Sequence, residues 1–211
     1  MTNFIPIFPL SIVVFPGEEV NLHIFEPRYK QLVEECFSDV KPFGIPCIIN
    51  NQVGESGTLV KVVEIVKVYD SGEMDIRTKG VSVFRILEII KRIPDKLYSG
   101  AIVHYPNLNE NGSKSLMEKV LERLREMHRL LKITKSFNNP DEKLSAYDIA
   151  HHAGLSIEEE YELLGLTQEI QRQEYLKRHL NKIISILTET EALKEKIKLN
   201  GHFKNPGYMD I

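Results

Sequence analysis

The feature that most constrains this chain is a change of hydrophobic period near residue 107. Before the polar stretch "NLNENGSK" (107–114), apolar residues come in short runs punctuated by Pro and Gly; after it, they recur at helical spacing. Side chains alternate across a strand but return every three to four residues on a helix, so the two regimes predict two kinds of structure. The expected class is α+β. Residues 1–106 form a β-rich subdomain, 113–200 a helical subdomain with one long C-terminal helix, and 201–211 a loosely held tail.

In the first part, "IPIFPL" and "IVVF" read as short strands bounded by Pro9 and Pro16, followed by "EVNLHIF". Tyr29, Leu32, Val33, Cys36 and Phe37 then fall on one helical face. Pro27 suits the first helical position, where its missing N–H costs nothing, and Glu26 sets a carboxylate at the positive end of the helix dipole. Strand patterns return in "GIPCIIN", "TLVKVVEIVKVY", "EMDIRTKGVSVFRILEI" and "LYSGAIVHYP". Tyr69 to Gly72 reads as a hairpin turn. A switch of parity around Gly80 predicts a β-bulge there.

In the second part, Leu116, Val120, Leu124, Met127 and Leu131 mark a helix over 113–133, with Ser115 and Glu118 in capping-box spacing. "FNNPDEKLS" breaks it. Two short helices follow, 145–153 and 156–164, each opened by a Ser with an acid three residues on and closed by Gly154 or Gly165. A helix of about 30 residues begins at Thr167 and carries Leu176, Leu180, Ile183, Leu187 and Leu193, ending at Asn200-Gly201. Packing within its own domain explains that stripe; the competing reading is a coiled-coil or dimer element.

Thirty acidic and 27 basic residues are mixed along the chain, so no strong pull toward nucleic acid or anionic lipid is expected, and a protein or small molecule is the favoured partner. Cys36 and Cys47 are too few for a disulfide scaffold and lack zinc or redox spacing; both are expected as reduced, buried thiols. The amino terminus shows no signal peptide and the longest apolar runs are far too short to span a membrane, which suggests a cytoplasmic protein.

Chemistry-bearing motifs are sparse. Phosphate-loop, dinucleotide-loop, zinc-protease and Ser-nucleophile patterns are absent, so no catalytic residue, cofactor or metal ligand is expected. His151 and His152 are adjacent and diverge by about 100° on a helix, which suits packing or surface better than metal binding. "DIAHHAGLSIEEEYELL" has the outline of a helix-turn-helix, but Glu158, Glu159, Glu160 and Glu162 would repel DNA phosphates. Arg28 cannot serve as a base, so Glu26 and Arg28 read as a turn and cap or as part of a binding surface.

The string "FPLSIVVFPGEEVNLHIFEPRYKQLV" resembles the opening of the amino-terminal domain of Lon proteases, especially stand-alone LON-domain proteins. "GTLVKVVEI" (57–65), the turn at Gly72, "KGVSVFRILEI" (79–89) and the helical tract 145–187 extend the resemblance over about residues 4–190. It implies a pseudo-barrel related to the PUA fold followed by helices, and a role in substrate recognition and assembly. The ATPase and Ser-Lys protease domains of full-length relatives are not in this sequence, so the expectation is a non-catalytic module binding unfolded or apolar protein segments, or an adaptor for a separate protease. Phe25, Arg28 and Tyr29 are the candidate binding residues, Tyr29 also fitting the core face. The two subdomains are expected to leave a groove near residue 107, with Tyr69, Tyr98, Tyr105 and Tyr147 as apolar contributors. The rival class is a small-ligand protein or enzyme using a pocket in the β-rich part, with Glu26, Arg28 or His23 as polar groups. RNA binding by analogy with PUA relatives is disfavoured by the balanced charge, and an oligomer is compatible with the long helix.

Overall fold

A computed structural model describes residues 2–137 and 139–202. Six antiparallel strands make one sheet: β1 (Thr2–Pro6), β2 (Glu19–Ile24), β3 (Phe43–Ile49), β4 (Gln52–Val68), β5 (Met74–Ile90) and β6 (Gly100–His104), in the order β1-β6-β5-β4-β3, with β2 beside the first half of β5. The chain beyond β1 then lies against β3. Phe8 N donates to Gly44 O at 2.8 Å, and Ile48 N donates to Leu10 O at 2.8 Å. These bonds close the sheet into a pseudo-barrel and cover an edge that would otherwise expose unpaired backbone. Inside it, Ile5, Ile7, Leu59, Phe84, Ala101 and Val103 pack together.

Helix α1 (Pro27–Ser38) follows β2 and lies over the arm formed by β2, β5 and β4. Pro27 occupies the first turn as expected, and Tyr29, Leu32, Val33 and Cys36 are buried against Ile24, Ile45, Val60, Met74 and Ile76. Phe37 is an exception, exposed because it sits at the margin of that face. The hairpin at 69–72 forms, with Gly72 at φ 74°. The bulge near Gly80 also forms: Leu59 pairs with Ser82 and Val60 with Gly80, leaving Val81 as the extra residue. Gly80 is needed there, because a Cβ would run into Phe15 O, while Gly80 O accepts from Gly17 N and Gly80 N donates to Glu18 O.

"IVVF" is not a strand. Ile12 is exposed, and the three buried residues alternate between two cores, Val13 and Phe15 toward the helices and Val14 toward α1. Pro16 and the Gly17 turn, at φ 89°, direct it across the barrel wall instead of along a neighbour.

The helical part comprises α2 (Lys114–Leu131), α3 (Ala146–Ile149) running into a 3₁₀ turn, α4 (Ile157–Gly165) and α5 (Glu169–His202). Ser113, not Ser115, caps α2, because the chain is already extended at Ser113, whose hydroxyl accepts from Leu116 N. Capping boxes at Ser145/Asp148 and Ser156/Glu159 are both present. Gly154 closes the first short helix at φ 73°; Gly165 is the last residue of α4, with an extended Leu166 after it. Helix α5 passes through Asn200-Gly201 to His202, so the expected stop is absent, and the tail from residue 203 lies outside the described residues.

Leu176 and Leu180 are buried and Ile183 and Leu187 half-buried against α2, whereas Leu131 and Leu193 are exposed at the far ends of their helices. The helical core is shared with the barrel, since Val13, Phe15, Cys47 and Val83 pack into it.

Candidate interaction surface

The segment "LHIFEPRY" is where β2 hands over to α1. Glu26 is the residue before the first turn, but its carboxylate does not cap the backbone. Both Nε and Nη2 of Arg28 donate to Glu26 Oε2, at 2.9 and 2.7 Å, and the guanidinium lies 4.5 Å above the Tyr29 ring. Arg28 is thereby held as a positioned cation, with Glu26 its counter-ion, and the pair has the form of a clamp and not of an acid and base. Tyr29 is only 8% exposed, its ring 3.9 Å from that of Phe8. Burial raises the Tyr29 hydroxyl pKa, the nearby Arg28 charge partly opposing it. Phe25 is the outward member, 58% exposed, with His23 stacked beside it at 6.2 Å.

His23 does not join the Glu26–Arg28 pair. Its Nδ1 is 2.7 Å from Asp75 Oδ1, and Asp75 Oδ2 accepts from the Tyr69 hydroxyl at 2.7 Å. Hydrogen bonds from His23 and then Tyr69 lower the Asp75 pKa; the bond to Asp75 raises that of Tyr69. A shallow hollow of about 300 Å³ lies alongside, lined by His23, Val66 and Asp75 among others. The strand register carries this polar row onward: Lys67, Asp75 and His23, then Glu64, Arg77 and Asn21, then Lys61, Lys79 and Glu19 cross the three strands. Arg77 and Glu64 are ion-paired within the second row. The outer face of the arm is thus a ladder of mixed charge, with Phe25 at its end.

The tyrosines do not converge on a groove. Tyr98 is buried under α1, donating to Glu35 Oε2 at 2.6 Å, and Tyr147 is buried in the helical core. The barrel and the helices meet in packed contact: Phe15 stacks on Tyr147 at 5.0 Å, and Tyr161 OH accepts from Ser56 N at 2.9 Å. A cavity of about 490 Å³ lies instead within the helical part, floored by Met117, Leu121 and Leu144 and backed by Glu169 and Gln173.

Two charged assemblies went unseen in the sequence. Arg172 is fully buried: its Nε donates to Glu169 Oε2 at 2.8 Å, Nη2 to Glu110 Oε2 at 2.7 Å and Nη1 to Leu166 O at 3.0 Å, with the Tyr147 ring 4.2 Å away. The i, i+3 spacing of Glu169 and Arg172 was the available signal, though such pairs normally lie on a solvated face.

The second assembly bridges barrel and helices: His151 Nδ1 donates to Glu160 Oε1 at 2.7 Å and Nε2 to Glu18 Oε2 at 3.1 Å. These two carboxylates push the His151 pKa up to about 10, against the effect of its burial. Glu159 and Glu162 are also engaged, with the Ser156 cap and His179 and with the Tyr175 hydroxyl respectively, so three acids of the apparent recognition helix serve internal packing. Among the described residues, no group of three His, Cys, Asp or Glu is arranged to hold a metal, and no helix is long and apolar enough to cross a membrane.

Residues 5–182 match the family described as the ATP-dependent protease La (LON) substrate-binding domain. Among solved structures, a Lon N-terminal domain protein from Xanthomonas campestris is 23% identical, with a TM-score of 0.64 over 82% of this chain and 96% of that one. The N-terminal domain of Mycobacterium avium complex Lon protease is 11% identical, with a TM-score of 0.61 over 85% of this chain and 98% of that one. At these identities the structural likeness speaks for the fold. The pseudo-barrel, the helices behind it and the family match over most of the sequence together show that this chain belongs to the LON substrate-binding domain family.

Proposed function

We propose that the chain is a non-catalytic recognition module that holds unfolded or apolar segments of other polypeptides, alone or as an adaptor for a separate protease. The family match over residues 5–182 carries this reading. The head of α1 supplies its surface. Phe25 offers an exposed aromatic ring on a junction that Pro27 and the Glu26–Arg28 clamp hold rigid, so little ordering cost attends contact with a partner. Arg28 adds a cation with one face stacked and the other free to meet a peptide carbonyl or carboxylate. Tyr29 acts from below, as the buried ring on which Arg28 rests.

The test is fluorescence anisotropy with a labelled, permanently unfolded probe, reduced and carboxymethylated α-lactalbumin, against the same protein in its native form. The unfolded probe binds more tightly, and Phe25→Ala weakens it by about tenfold, the loss of roughly 1.4 kcal/mol expected of an aromatic anchor. Equal affinity for native and unfolded probes overturns the function. Selective binding that survives Phe25→Ala together with Arg28→Ala keeps the function and moves the surface elsewhere.

A further inference from the structure

The arm formed by β4, β5 and β2 has two margins, and they are built differently. Along β4, past its pairing with β3, the register with β5 slips twice, between Val62 and Glu64 and between Ile65 and Lys67, so Val63 and Val66 are extra residues that interrupt the line of backbone groups. Bulges of this kind keep other strands off an edge. The β2 margin has no such device. Glu19–Ile24 holds no Pro and no Lys, its register with β5 is unbroken, and β5 is its one sheet partner among the described residues. Gly80 N donates to Glu18 O at 2.8 Å, and opposed residues of an antiparallel ladder exchange hydrogen bonds alternately, so Val20, Leu22 and Ile24 bond to β5. The backbone N–H and C=O groups of Glu19, Asn21 and His23 therefore point away from the sheet, and no backbone group among the described residues meets them.

On the strength of the recognition role above, we propose that this margin takes an extended segment of another polypeptide as a further strand of the arm. The outward N–H and C=O groups hold a main chain whatever its sequence, which suits a module that meets many unfolded chains. The side chains narrow the choice. Val20 and Leu22 are half-buried at the margin of the core beneath α1, whereas Glu19, Asn21 and His23 are exposed on the outer face. A strand laid alongside covers Val20 and Leu22 with every second side chain, so the favoured segment alternates apolar and polar residues and carries no Pro. A second copy of β2 fits poorly. To use all the outward groups it must pair antiparallel about Asn21, which sets Phe25 opposite Gly17 and brings the head of each α1 onto the barrel wall of the other, where His151 meets Glu18 at 3.1 Å. A segment without a folded body meets no such obstacle.

Amide hydrogen exchange followed by NMR on the full chain, alone and with reduced and carboxymethylated α-lactalbumin, tests this. Alone, the amides of Glu19, Asn21 and His23 exchange quickly while those of Val20, Leu22 and Ile24 are protected; with the probe, the first set slows by at least about tenfold. Asn21→Pro removes an N–H that β5 does not use, so the β2–β5 ladder stands, and it weakens probe binding by about tenfold relative to Asn21→Ala, which keeps the backbone donor. Probe binding that leaves the three amides exchanging quickly overturns strand addition and keeps the recognition role, whereas a probe that does not bind overturns both. Protection that appears without the probe and grows with protein concentration overturns the proposal in favour of a second copy.

Discussion

Arg28 and Arg172 are built alike and placed differently. Each has a glutamate just before it in sequence, Glu26 or Glu169, and each guanidinium lies over a tyrosine ring, at 4.5 Å for Tyr29 and 4.2 Å for Tyr147. Arg28 stands half in water at the end of the polar ladder, whereas Arg172 is sealed among α3, α5 and the 107–114 linker. Both phenols beneath are buried, and burial pushes Tyr147 up to about 12 and raises Tyr29 as well. One set of residue types therefore leaves a paired cation half in water at one site and ties three chain segments together at the other. Burial decides which, because a desolvated charge must be fully paired while a solvated one is paired at little gain or cost.

The largest expected effect breaks the buried member. Arg172→Ala leaves the Glu169 carboxylate buried without its cation and costs about 3–5 kcal/mol, read as a lower urea midpoint. Glu169→Gln combined with Arg172→Met removes both charges and recovers most of that loss. A single variant no more costly than Arg28→Ala would erase the contrast.

The His151 bridge stands between the two extremes, with its side chain about one-third exposed. Its pKa is raised from 6.5 to about 10, so the bridge contributes fully below about pH 6.5 and is lost as pH rises toward 10. After allowing for solvent screening, His151→Gln costs about 1–2 kcal/mol at neutral pH. Melting temperatures of parent and variant then converge as pH approaches 10; a gap independent of pH would assign His151 a packing role alone.

Arg28→Ala changes stability by less than about 1 kcal/mol, as expected of a half-exposed ion pair. Phe25→Ala shifts it by less than about 0.5 kcal/mol, since the ring is exposed. Chemical denaturation of these variants, paired with the binding assay, separates contact from folding at the head of α1.

Features governed by neighbours in sequence were legible. Pro27 at the start of α1, the Ser145/Asp148 and Ser156/Glu159 capping boxes and the 69–72 turn each depend on a few adjacent residues and on intrinsic φ preferences, and the bulge at Gly80 shows in the parity switch of its own strand. "IVVF" was misread because its composition is that of a strand, while its place in the barrel wall divides its side chains between two cores. Arg172 and His151 were opaque for the same reason. Their partners Glu110, Tyr147, Glu18 and Glu160 are 62, 25, 133 and 9 residues away, and only one assembled structure brings them together. At the candidate surface, exposed Phe25 and buried Tyr29 differ only by which face of the strand-to-helix junction they occupy.

By itself, the sequence determined the β-rich and helical regimes, where most helices begin and the family, because periodicity, caps and a family-like string are local properties of the chain. Tertiary structure alone decided that the tyrosines form no shared groove, that one arginine is a buried clasp and another an ion pair half in water, and that Ile186, Leu193 and Ile197 of α5 stay exposed. Those outcomes depend on desolvation, and desolvation is set by what the rest of the chain lays over each residue.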